Sequence, residues 1–142
     1  MLPLIELAHV GTIELMRFSP ATVTELSRVG LFQQLAGEVL TKLAHKMERE
    51  DISAGSPIML EGDRGDRFYV VLKGLLAVNS DDMGPRRMLR PGDYFGEVAL
   101  AMNVPRTASV TALTPTTLAS CDKATFDEFV RPLFADDDPS EG

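Results

Sequence analysis

Histidine, cysteine and basic charge are all scarce in this chain, and each shortage closes off a class of function. Only His9 and His45 are present, both outside the strand-like part of the sequence. A metal-dependent enzyme built on strands needs clustered histidine and carboxylate ligands, so neither a metal centre nor an enzyme is expected. His45 sits on a charged helical stretch and is expected to be solvated. The single cysteine, Cys121, rules out an internal disulfide and suits a reducing compartment, so a cytoplasmic location is expected. It lies in the apolar run Thr117 to Cys121, where a buried, inert thiol is expected. Lys and Arg number 14 against 21 Asp and Glu, a net charge of −7. No basic stripe can hold a nucleic-acid backbone, and an anionic ligand would have to be held by local contacts. No apolar run approaches the roughly 20 residues of a membrane span, so no direct membrane insertion is expected. The opening stretch MLPLIELAHV carries Glu6 and lacks a basic leader and a cleavage pattern, which argues against a signal peptide.

What is present fits one globular domain. Hydrophobic residues make up 44% of 142 and charged residues 25%, an ordinary balance with a modest core. Residues 1–20 read as an apolar, partly helical prefix that docks on the domain or on a neighbour, and residues 21–134 as the domain itself. Thr22 and Glu25 stand in a capping-box arrangement, with Ser19 as an alternative cap. A second helix is expected from about Gly37 to Arg49, with Val39, Leu40, Leu43 and Met47 as its inward stripe. Helical ground thus covers 22–49.

From Asp51 the period changes to alternation, and strands are expected over 51–121. Glu61-Gly62-Asp63-Arg64-Gly65-Asp66 reads as a tight hairpin connection ahead of the run from Arg67 to Leu72. Asp63 and Asp66 are read as turn-formers, because a calcium loop needs more oxygens and a terminal bidentate Glu. Further short strands are expected at Ile58 to Leu60, Leu75 to Asn79, Arg86 to Arg90, Thr107 to Leu113 and Leu118 to Cys121. Ser80 to Pro85 reads as an exposed acidic turn. Short strands at close spacing with glycine turns argue a barrel or roll. Asp122 or Thr125 caps a final helix, 123–131, which Pro132 is expected to break. The tail 135–142, ADDDPSEG, is expected to be disordered.

The most informative stretch is Phe95 to Val110, FGEVALAMNVPRTASV. Gly96 allows a sharp turn into a short helix beginning at Glu97, whose first N–H groups lack internal partners and suit an anion. Pro105 ends the segment and brings Arg106 back towards the helix start, where its fork of donors suits a phosphate. Glu97 would repel a phosphate and should serve a neighbouring hydroxyl. A bare Glu–Arg salt bridge is the alternative reading of the same two residues.

The stretch resembles the phosphate-binding cassette of the cyclic nucleotide-binding domain family, which includes catabolite activator protein and the regulatory subunits of protein kinase A. The pattern Phe-Gly-Glu, small and apolar residues, Pro-Arg, Thr, Ala and Val is filled by Phe95, Gly96, Glu97, Ala99, Leu100, Pro105, Arg106, Thr107, Ala108 and Val110. The Gly-Asp-x-Gly-Asp spacing at 62–66 agrees with it. The resemblance implies a mainly β fold with flanking helices, an antiparallel β-roll or jelly roll of the double-stranded β-helix kind. It implies a sensory module that takes cAMP, preferred to cGMP, as a ligand and needs no cofactor, with a bacterial source expected.

By the same resemblance Glu97 meets the ribose 2′-hydroxyl. Arg106 and the amides of Gly96, Val98, Ala99 and Leu100 meet the cyclic phosphate. The Thr107 hydroxyl meets the 2-amino group of a syn guanine or else bonds only the phosphate or the backbone, and Ala108 belongs to the site. A larger effector protein, or a homodimer through the N-terminal helices, is the expected partner. Too little chain follows the strands for a helix-turn-helix, so no DNA binding is expected. The family's longer second helix, its lid, has no counterpart in these residues. A nucleotide-free interaction module is the alternative function.

Overall fold

The computed structural model describes residues 21–80 and 84–135. The prefix 1–20 and nearly all of the tail 135–142 lie outside them, as do residues 81–83.

The chain enters through α1 (Val23–Ser27), a 3₁₀ turn (Gly30–Gln34) and α2 (Gly37–Lys46). The capping box forms as expected: the Thr22 hydroxyl accepts from the Glu25 amide at 3.1 Å, and the Thr22 amide donates to Glu25 Oε1 at 3.1 Å. Eight strands follow: β1 (Glu48–Ile52), β2 (Pro57–Met59), β3 (Arg67–Lys73), β4 (Leu76–Ser80), β5 (Gly84–Leu89), β6 (Tyr94–Phe95), β7 (Ser109–Ala112) and β8 (Thr116–Asp122). They form two four-stranded sheets, β1-β8-β3-β6 and β2-β7-β4-β5, and every pair is antiparallel. The short helix α3 (Glu97–Met102) lies between β6 and β7, so it hands the chain from one sheet to the other.

The sheets divide the apolar residues into two cores. Tyr69, Val71, Leu118, Phe95, Leu76, Leu89 and Val110 pack between the sheets. On the other face of the first sheet, Phe68, Val70, Ala119 and Cys121 meet Leu26, Phe32, Leu43, Met47, Phe126 and Phe129 from the helices. The central strands β3 and β8 are therefore covered on both faces. This is why Phe68 to Val71 reads as a continuous apolar run and not as a clean alternation.

Local expectations failed where tertiary pairing outranked local preference. The turn at 61–66 is not a hairpin: β2 pairs with β7 and β3 pairs with β6 and β8, so this loop crosses between the sheets. The helix expected to reach Arg49 stops at Lys46, because Glu48 to Ile52 pair with Ser120 to Thr116 of β8. Glu and Arg are good helix formers, but a sheet partner decides their state.

Pro132 does not end the final helix. Asp122 caps α4 (Lys123–Thr125), accepting from the Thr125 amide at 2.9 Å. A π turn (Phe126–Val130) and then α5 (Arg131–Ala135) follow. In the π turn the Arg131 amide reaches the carbonyl of Phe126, five residues back. The widened turn gives the Pro132 ring room and absorbs its missing N–H, which an α-helical register would not.

Cys121 is fully buried in the core beneath the helices, and burial pushes its thiol up to about 12. At pH 8 a disulfide reagent should therefore label Cys121 only as fast as the domain opens. A denaturant series should give labelling rates that track unfolding, whereas rapid labelling of the native protein would place the strand elsewhere.

Candidate functional site

Three segments build the site around one side chain. Gly96 takes a left-handed conformation, φ 92°, and serves as the N-cap of α3. A side chain there would bring a Cβ to 2.8 Å from the Arg67 carbonyl and 3.0 Å from Arg106 Nη1, so only glycine fits. At the far end, Asn103 also turns left-handed, φ 53°, and Pro105 leads directly into Arg106.

The Arg106 guanidinium returns to the start of the helix. Nη1 donates to the Gly96 carbonyl at 3.1 Å and Nη2 to the Arg67 carbonyl at 3.0 Å. Its backbone is clasped by the crossing loop: the Arg106 amide donates to the Asp63 carbonyl at 2.7 Å, and the Gly62 amide donates to the Arg106 carbonyl at 2.9 Å. Gly65 lies flat on the guanidinium, where a Cβ would stand 2.7 Å from Cζ and 2.6 Å from Ala99 Cβ. The Gly-Asp-x-Gly-Asp loop is thus more than a turn, because it forms one wall of the seat for Arg106.

Arg106 is 5% exposed. Burial pulls its guanidinium below the ordinary value, and the nearby Tyr69, Asp66 and Glu97 hold it up. The two carbonyl bonds use two of its five donors and leave others for an anion. Among the described residues no ion pair within 4.0 Å joins Glu97 to Arg106, so the plain salt-bridge reading fails.

Both side chains line one open cavity of about 100 Å³. Seven of the eight residues expected from sequence border it: Gly96, Glu97, Val98, Ala99, Arg106, Thr107 and Ala108. Leu100 does not. Its side chain is buried in the helical core, and the expectation for it concerned only its amide.

The opposite wall was not foreseen. Met59, Val110, Val78 and Arg87 lie in register across β2, β7, β4 and β5, and all four border the cavity. This row presents an apolar surface ending in a cation. Arg87 acts on Glu97 more strongly than Arg106 does. Only an arginine-rich stretch, Arg86 to Arg90, hinted at it, and the cross-strand register that aims Arg87 cannot be read locally.

An antiparallel roll with a buried arginine and a carboxylate at a shared opening defines a small-ligand binding domain of the sensory class. The profile of the cyclic nucleotide-binding domain matches residues 49–132, and the chain belongs to that family. It is 37% identical over 108 residues to a cAMP-dependent protein kinase regulatory subunit of Eremothecium gossypii, covering 76% of this chain and 24% of that one. Among solved structures it resembles the regulatory domain of Toxoplasma gondii protein kinase A with cAMP, at 26% identity and TM-score 0.75. That match covers 85% of this chain and 49% of the other. It also resembles Thermus thermophilus catabolite activator protein, at 29% identity and TM-score 0.66, over 75% of this chain and 53% of that one.

The chain spans about a quarter of the length of the curated relatives it matches. Those relatives are regulatory subunits, not catalytic chains, in line with the expectation of a non-enzyme. They are fungal, so the expectation of a bacterial source is not borne out. Among the described residues no helix is long and apolar enough to cross a membrane.

Burial is the largest influence on Glu97 and raises its carboxyl above the ordinary 4.5, outweighing its own amide, Arg87 and Arg106. Between 4.5 and that raised value the folded state holds the proton more tightly than the unfolded state. Stability of the empty domain therefore falls as pH rises through this window. Glu97→Gln should raise the ligand-free melting midpoint at neutral pH, with the difference vanishing below pH 4.5. Paired thermal melts across pH check this, and a lowered midpoint at pH 7 would contradict it.

Proposed function

We propose that the cavity takes a 3′,5′-cyclic nucleotide and that the domain is a regulatory sensor. In this reading Arg106 binds the cyclic phosphate together with the amides of Gly96, Val98, Ala99 and Leu100. Glu97 accepts from the ribose 2′-hydroxyl, and Thr107 and Ala108 complete the phosphate side. The supporting observation is the buried Arg106 guanidinium, held by two backbone carbonyls, in one cavity with Glu97, which forms no ion pair within 4.0 Å among the described residues. A purely structural copy of the fold would have no use for a desolvated cation kept open to an anion.

cAMP is the ligand proposed first, in keeping with the names of the relatives. cGMP is a second reading that Arg87 favours. An arginine offers donors only, and guanine presents two adjacent acceptors, O6 and N7, where adenine presents an acceptor and a donor.

Calorimetry with both nucleotides tests the proposal. Arg106→Ala should cost about 2–5 kcal/mol of binding, the loss seen when one partner of a buried charged contact is removed. Unchanged affinity in a variant with native circular dichroism would sink the assignment. Arg87→Ala should weaken cGMP by about 1–3 kcal/mol more than cAMP if the arginine reads the base. Equal loss would leave cAMP as the ligand.

Occupancy is proposed to be reported by the flanking helices. Leu100 of α3 shares its core with Phe126 and Phe129 and with the α1 and α2 side chains. Arg131 donates to the Leu100 and Ala101 carbonyls, each at 3.3 Å, and Lys46 lies 5.9 Å from the Phe129 ring centre. A ligand can shift these elements only through contacts that differ between two states. Amide exchange with and without cAMP should change protection in α2 as well as in 96–106. Changes confined to 96–106 would contradict the relay.

A further inference from the structure

We propose that Arg67 is a positioning residue for Arg106, holding the phosphate arginine from behind through its own backbone carbonyl. Two arginines are arranged in series. Arg106 Nη2 donates to the Arg67 carbonyl at 3.0 Å. The Arg67 side chain runs the other way, across the sheet: Nε and Nη2 donate to Ser120 Oγ at 3.1 and 2.9 Å, and Nη2 also donates to Glu48 Oε1 at 2.9 Å. Ser120 is fully buried and in turn donates its hydroxyl proton to Glu50 Oε2. The register makes this possible, because Glu48 and Tyr69 both lie opposite Ser120, on β1 and β3.

Arg67 is the first residue of β3, directly after the crossing loop. A strand end without side-chain anchorage opens readily. Here the carbonyl that Arg106 needs belongs to such an end, and the Arg67 fork fastens it to β8 and β1. The opposing surface is equally constrained, since a Cβ on Gly96 would come within 2.8 Å of the same carbonyl. Arg67 does not border the cavity, so its influence on a ligand there runs through Arg106.

The consequence for affinity rests on the reading of Arg106 as the phosphate contact, whereas the positioning itself does not. Arg67→Met keeps the apolar stem and removes the donors, and Arg67→Lys keeps a charged donor. In the ligand-free protein, the Arg106 Nη2–H signal should exchange with water faster in Arg67→Met by about two- to tenfold, the worth of one net hydrogen bond. Arg67→Lys should restore most of the protection. cAMP affinity should fall by a similar factor in Arg67→Met and recover in Arg67→Lys.

Unchanged Arg106 exchange in Arg67→Met would overturn the proposal. So would an equal loss of protection at the Val70 and Ala119 amides, which would mark a general loosening of the sheet. Faster Arg106 exchange in a protein that binds no cyclic nucleotide would uphold the positioning and remove the proposed ligand instead.

Discussion

The structure turns on one buried cation. A guanidinium taken out of water is costly unless its donors are met, and Arg106 is met by two main-chain carbonyls, not by a carboxylate. Carbonyls carry partial charge, so they satisfy geometry without neutralising the cation. The result is a fixed fork that still attracts an anion. Each neighbouring oddity serves that arrangement. Gly65 and Gly96 give up side chains so that backbone can approach the guanidinium, and the crossing loop clasps the Arg106 backbone on both sides.

The position of this cation explains why the site can be felt elsewhere. Arg106 sits between α3 and β7, where the chain passes towards the second sheet, and its guanidinium is held by carbonyls at the start of α3 and of β3 in the first sheet. Leu100, one turn along from Glu97, points away from the cavity into the core shared with the helices. The terminal helix meets the same place from outside through Phe126, Phe129 and Arg131. A change in the seat of α3 would therefore be met by close-packed neighbours on the helical side, and close-packed interiors transmit displacement.

How much was legible in sequence depended on whether the information was local. The Phe95–Val110 segment is a self-contained turn, helix and return, so Gly96, Pro105 and Arg106 could be placed from their own backbone preferences. The roll was legible from strand spacing, and the capping box at Thr22 and Glu25 from a three-residue pattern. What failed was non-local. The loop at 61–66 has hairpin composition, yet its strands pair with partners far along the chain. Arg87 looked like one arginine among several until β5 was set against β4 in a particular register. Pro132 reads as a helix breaker wherever α geometry is assumed, and the π turn removes that assumption.

The most direct test of the central claim is a crystal structure of the domain with cAMP. The account expects an exocyclic phosphate oxygen at about 2.7–3.0 Å from the Arg106 guanidinium, the spacing of a charge-assisted hydrogen bond, with Glu97 at similar distance from the ribose 2′-hydroxyl. The Gly96 and Arg67 carbonyl bonds should persist beneath the ligand. A nucleotide bound away from this cavity, or an Arg106 still confined to its two carbonyls while the phosphate contacts other groups, would contradict it.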